Sequence, residues 1–202
     1  MKNKLLDEIR SVMPKDGGEI DLSPLYGTPI GKYLRGMEET EQNPRYHAEG
    51  NVLIHTVRTL SELCRSEGYK KEDDEGRLIL FLACLLHDIG KIPTTRLEGG
   101  ELTSPRHTIA GAKMARELLW REYALSGDAE SIRLREAVCQ LIRYHSYPPF
   151  CMNDKDDKRL HRIAENGSLT DAFSLRRLIT LELADVFGRI GESTSEMAEK
   201  VR

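Results

Sequence analysis

A chain of 202 residues with 39% hydrophobic and 31% charged side chains suits one globular domain with a sizeable core rather than a disordered segment. Its net charge of −3 excludes a global basic field that would draw the whole molecule to nucleic acid, so any such contact must be local. The longest apolar run, 78–86, is too short to span a bilayer, residues 1–10 lack the apolar stretch of a signal peptide, and Cys64, Cys84, Cys139 and Cys151 form no Cys-x-x-Cys pair; a cytoplasmic protein without a disulfide framework is expected.

Almost every segment reads as helix. Residues 2–13 form a short amphipathic helix stopped by Pro14, followed by a turn at Asp16-Gly17-Gly18. Ser23-Pro24 has the signature of an N-cap with proline in the first turn and predicts a helix over 25–39. The polar stretch 41–50 is a loop. Asn51 caps a helix over 52–66, with Val52, His55, Thr59 and Leu63 at helical spacing, and Gly68 closes it. The segment 77–89 is apolar nearly all round and predicts the central buried helix, with Gly90 as its C-cap. Residues 93–103 read as a loop with Gly99-Gly100 at its tip.

Ser104-Pro105 repeats the cap signal and opens a helix over 106–123. A helix over 128–146 ends at Pro148-Pro149. A short one over 158–165 ends at Asn166-Gly167, and Thr170 caps the last, 171–190. The tail from 191 to 202 is weakly patterned and frayed. No strand-period alternation persists and no repeat is present. The expectation is an all-α bundle of about seven helices in a single domain, 1–202.

Helix 77–89 ends in His87-Asp88, an unusual finish for a buried element. His55, His107, His145 and Asp185 each fall in a different helical stretch. Asp185 is flanked by Leu181, Leu183, Ala184 and Val186, a setting in which a carboxylate needs a partner. Taken singly, each has a plain alternative: a hydrogen-bonded core histidine, or Asp185 paired with Arg189. As a set they point to ligands meeting inside a helical bundle around a metal. All donors are imidazole or carboxylate, which excludes a structural cysteine–zinc site. It favours one or two divalent ions (Mn, Fe, Co, Ni, Zn or Mg) in an open site suited to phosphate-ester hydrolysis.

The order His55…His87-Asp88…His107…His145…Asp185 resembles the HD superfamily of metal-dependent phosphohydrolases, over roughly 41–190. The segment from Asn43 through His47-Ala-Glu49-Gly to His55-Thr, with Pro105-Arg-His107-Thr-Ile-Ala-Gly, is similar to HD domains attached to bacterial tRNA nucleotidyltransferases. It is closer still to those fused to RNA end-healing polynucleotide kinases. The resemblance implies a helical HD domain with phosphomonoesterase or 2′,3′-cyclic phosphodiesterase activity on nucleotides or RNA 3′-end phosphates. It implies a first ion on His55, His87, Asp88 and Asp185, and a second on His107 and His145 with Asp88 bridging. Lys91 matches the lysine after HD and pairs with substrate phosphate; its alternative is to neutralise the helix C-terminus.

In the loop before the first ligand, His47 is the candidate general acid and Glu49 a substrate contact. Arg106 is a candidate phosphate contact, and His161 a surface residue outside the pattern. Gly27-Thr-Pro-Ile-Gly31-Lys32-Tyr33 fails as a P-loop: its glycine spacing is one short, and Tyr33 stands where a Ser or Thr would hold magnesium. A kinase or nucleotidyltransferase module is therefore expected only as a partner. One alternative is a 5′-nucleotidase or other hydrolase of free nucleotides on the same ligands. Another is a catalytically silent nucleic-acid-binding module using Arg133, Arg135, Arg143, Lys155, Lys158, Arg159 and Arg162.

Overall fold

In the computed structural model, which describes residues 2–14, 18–147, 161, 163, 165 and 172–191, most of the long helices begin at side-chain caps. Helix α1 (Lys2–Val12) is followed by a 3-10 turn (Ser23–Gly27) and α2 (Gly31–Glu38). Asn51 Oδ1 accepts from the Ile54 amide at 3.0 Å and starts α3 (Val52–Arg65), whose inward face carries His55, Thr56, Thr59, Leu60 and Leu63. A single turn, α4 (Glu67–Lys70), leads to α5 (Asp74–Leu86), capped by Asp73 at 2.8 Å from the Gly76 amide.

Every residue from Leu78 to Leu86 is buried, so α5 is the central helix expected from its apolar circumference. A short α6 (Lys91–Thr94) follows, then β1 (Arg96–Glu98) and β2 (Glu101–Thr103). Helices α7 (His107–Arg121) and α8 (Ala129–Tyr144) pack on each other, α8 also lies on α5, and α9 (Leu175–Gly188) lies along α3. The fold is all-α apart from the hairpin. No helix among the described residues is long and apolar enough to cross a membrane.

Several boundaries differ from the sequence reading. The expected helix 25–39 is broken because Pro29 drives Thr28 into extended backbone at ψ 171°, so the chain leaves the 3-10 turn and restarts at Gly31. Gly68 is not a terminator. It sits inside α4 because a Cβ there would lie 2.4 Å from Thr180 Oγ1.

Gly90 is not a left-handed cap either, with φ −68°. A Cβ at 90 would lie 2.0 Å from the His107 carbonyl oxygen and 2.5 Å from the Gly111 amide, so glycine permits the start of α7 to pack against the end of α5. The loop 93–103 contains a two-residue hairpin, because Gly99 and Gly100 both take positive φ (61° and 87°), which matches the twist of the flanking strands.

Ser174, not Thr170, caps the last helix. Thr170, the turn at Asp16-Gly17, Pro148-Pro149, Cys151, the Asn166-Gly167 stop, most of the expected helix 158–165 and residues 192–202 lie outside the described residues.

Candidate metal centre

Three histidines reach the centre by one local device. The Nδ1–H of His87 donates to the Cys84 carbonyl at 2.7 Å, that of His107 to Ser104 at 2.9 Å, and that of His145 to Ile142 at 2.8 Å. Each acceptor lies three residues upstream: Cys84 and Ile142 in the last turns of α5 and α8, and Ser104 in the loop that opens α7. The bond fixes the tautomer, so each Nε2 presents its lone pair to the interior.

All three Nε2 atoms face Asp88, which the end of α5 places at the middle. His87 is 3.2 Å from Asp88 Oδ2, while His107 and His145 are 3.5 and 3.8 Å from Oδ1. His55 is oriented from the loop. Glu49 Oε1 accepts from His55 Nδ1 and from His47 Nδ1, each at 2.9 Å, and Glu49 Oε2 accepts from the Ile190 amide at 2.8 Å. His55 Nε2 is then 2.8 Å from Asp185 Oδ1 and 3.7 Å from Asp88 Oδ2.

The two oxygens of Asp88 thus face different sets. Oδ2 looks toward His55 and His87; Oδ1 looks toward His107 and His145. Lone pairs directed at carboxylates repel unless a cation lies between them. His87 Nε2 and Asp88 Oδ1 are buried without hydrogen-bond partners. Donor atoms of His55, His87 and Asp185 lie within 4.8 Å of one another, as do those of His87, Asp88 and His145. These residues fit a divalent ion by position and by donor chemistry.

Fixed cations accompany the carboxylates. Lys91 Nζ is 2.7 Å from Asp88 Oδ2 and donates to Gln42 Oε1 at 2.7 Å. Arg189 pairs with Asp185 through Nη2, with Nε 3.3 Å from Oδ1. The pairing that offered an alternative for Asp185 is therefore real, and Asp185 holds His55 as well.

Burial opposes charge on Asp88, but the Lys91 ammonium and His87 hold its carboxyl well below the usual range; for Asp185, Arg189 and His55 do the same. His87 is pulled down by burial but raised on balance by Asp88 and Asp185. His145 falls to about 3 through burial and the neighbouring His87. His107 is lowered, chiefly by burial.

A cleft of about 290 Å³ opens onto this cluster, with His47, Asp88, Lys91, His107, His145, Glu182 and Arg189 in its wall. Two expected site residues stand apart. Glu49 is turned inward, where it holds two histidines. Arg106 is exposed at φ 58°, outside the cleft wall. His161 is exposed, as expected.

Gln42 and Glu182 escaped the sequence reading. Nothing distinguishes Gln42 within its polar loop. Glu182 lies three residues before Asp185 and seven before Arg189, a helical spacing that places all three on one face. Burial and the neighbouring Asp185 raise its carboxyl well above the usual range.

The family described as HD domain matches residues 52–190, more than half of the chain. The chain belongs to the HD domain family. HD domains bind divalent metals and are generally metal-dependent phosphohydrolases, which agrees with the buried donors found here. Neither the curated proteins nor the solved structures give a match.

Proposed function

We propose that this HD domain hydrolyses phosphomonoesters or 2′,3′-cyclic phosphodiesters of nucleotides or RNA ends. The carrying observation is the convergence of three tautomer-fixed imidazoles on Asp88, with His87 Nε2 and Asp88 Oδ1 unpartnered beneath a cleft walled by two cations. His55, His87, Asp88 and Asp185 would hold a first divalent ion, and His107 and His145, together with Asp88, would hold a second. Such ions lower the pKa of bound water and neutralise charge on a phosphoryl oxygen.

The chain's own residues supply the rest. Lys91, 8% exposed and held by Gln42, places an ammonium at the cleft floor for a phosphate oxygen. Arg189 orients Asp185 and adds positive charge to the cleft wall. His47 changes role. Burial, with Lys91, His55 and Arg189 nearby, pushes it down to about 4, so it is neutral near pH 7. Its Nδ1–H is given to Glu49, and its Nε2 therefore accepts a hydrogen bond at the cleft mouth instead of delivering a proton.

The cleft is at the small end of ligand cavities, roughly 300–1,000 Å³, which favours a terminal phosphate and its sugar over an enclosed strand. Free nucleotides, the 5′-nucleotidase reading, fit this volume as well as an RNA end does. The silent binding-module reading draws less support: Arg133 pairs with Glu75 at 2.6 Å and Arg135 with Glu136 at 2.8 Å. Its Lys155, Lys158, Arg159 and Arg162 lie outside the described residues.

The test is a substrate panel. Chelator-stripped protein, reloaded with each of Mn, Fe, Co, Ni, Zn and Mg, is offered 2′,3′-cyclic nucleotides, 2′-, 3′- and 5′-monophosphates and an RNA 3′-phosphate. Turnover of at least one class with at least one metal is expected; inactivity throughout overturns the proposal.

A further inference from the structure

Helix α9 brings a second carboxylate to the cleft wall. Glu182 is 1% exposed and shares that wall with Asp88, His107 and His145. Its Oε2 is buried without a hydrogen-bond partner. The other two carboxylates of the centre have cations in direct contact, Lys91 on Asp88 and Arg189 on Asp185. Glu182 makes no such ion pair among the described residues. A buried carboxyl oxygen with nothing to bind is destabilising, and its retention calls for a partner that arrives from elsewhere.

The second-ion side of Asp88 has room for a further donor. Oδ1 faces two imidazoles, His107 at 3.5 Å and His145 at 3.8 Å, which makes three ligands where divalent ions take four or more. Glu182 and Asp88 are the carboxylates in the cleft wall. Glu182, His107 and His145 line the same cleft as Asp88, which puts all four on the cleft side of the centre.

We propose that Glu182 is a ligand of the second ion, completing the set of Asp88, His107 and His145. The inference rests on reading His107 and His145 as second-ion ligands. Two carboxylates and two imidazoles form an oxygen-rich set suited to Mn²⁺ or Fe²⁺ rather than to a thiolate-seeking ion. A dication at this position would give the Glu182 carboxyl the direct cationic contact that Lys91 gives Asp88 and Arg189 gives Asp185.

The test is Mn²⁺ stoichiometry and affinity for wild type and Glu182→Gln, by equilibrium dialysis with metal analysis and by electron paramagnetic resonance. Wild type should take up two ions and show the exchange-broadened signal of a close Mn²⁺ pair. Glu182→Gln should keep the first ion within about threefold of wild-type affinity. It should lose the pair signal and bind the second ion more than about 100-fold more weakly, beyond what outer-shell changes do.

Glu182→Met, which removes the stranded oxygen, serves if the amide variant does not fold. Its ion-free melting temperature should match or exceed wild type, while its gain on adding Mn²⁺ shrinks. Unchanged second-ion affinity in the variants, or equal loss of both ions, overturns the role of Glu182. A wild-type protein that binds one ion overturns the second-ion reading and this inference with it. One that binds none overturns the metal centre itself.

Discussion

His87 Nε2 lies 3.2 Å from Asp88 Oδ2, with its Nδ1–H already given to the Cys84 carbonyl. Adjacent residues at the end of one buried helix therefore aim a lone pair and a carboxylate oxygen at the same point. A divalent ion at that point would satisfy both, and would serve His55 and Asp185 at once. The fold around α5 positions this pair.

Asp88→Asn removes the charge that both ligand sets share. Divalent-ion affinity should fall by at least about 100-fold, more than the loss typical of an outer-shell change. Calorimetric titration with Mn²⁺ reads this directly. Retained tight binding would place the ion elsewhere.

Ion and proton compete for His87. Burial lowers its pKa, but Asp88 and Asp185 outweigh burial and raise it above 6.5. Ion uptake near neutrality should release a proton, and affinity should fall as pH drops, approaching about tenfold per pH unit below that pKa. Titrations in buffers of different ionisation enthalpy measure the proton count. A pH-independent affinity between 6 and 8 would contradict the assignment.

Acid stability follows the other histidines. His145 and His47 are lowered from 6.5 to about 3 and about 4, mainly by burial, so the unfolded chain binds more protons below pH 6.5 than the folded one. Their contribution is complete above 6.5 and is lost as pH falls toward 3, at up to about 1.4 kcal/mol per pH unit for each group. His87 has the opposite sign: its contribution is present below 6.5 and lost as pH rises through its folded value. Urea unfolding of the ion-free protein at pH 7, 6 and 5 should show steadily falling midpoints. Midpoints unchanged over that range would contradict burial of neutral His145 and His47.

Glu49→Gln separates positioning from substrate contact. Glu49 accepts from His55 and His47 at 2.9 Å and from the Ile190 amide at 2.8 Å. Its loss should weaken the first ion about 10–100-fold, with little change in KM at saturating metal. A KM effect without a metal effect would return Glu49 to the substrate.

Gly90→Ala should cost about 2–3 kcal/mol, because the new Cβ would meet the His107 carbonyl oxygen at 2.0 Å and force α7 from α5. His107 moves with α7, so second-ion binding should weaken in parallel. Chemical denaturation and metal titration measure the two effects; an undisturbed variant would contradict the close approach.

The site was more legible than its supports. Histidines and aspartates at helix ends and inside apolar faces carry their own signal, and all six ligand candidates meet at one place. The helices were legible from the cap Asn51 and the apolar span of α5. The hairpin at Gly99-Gly100 and the break at Pro29 were missed because each is set by one or two dihedral angles, not by hydrophobic period. The roles of Glu49 and Gln42 depend on where a loop folds back, which no local pattern encodes. Glu182 was readable in principle, three residues before Asp185 on the same helical face. Gly90 looked like a cap because glycine often ends helices; only the packed partner, His107, shows why it is there.

The most direct measurement is anomalous diffraction from crystals soaked in Mn²⁺, recorded above the manganese edge. A peak bounded by His55, His87, Asp88 and Asp185 is expected, with a second on the His107 and His145 side of Asp88. Well-ordered ligand side chains with no anomalous peak among them would contradict a metal centre at His87-Asp88.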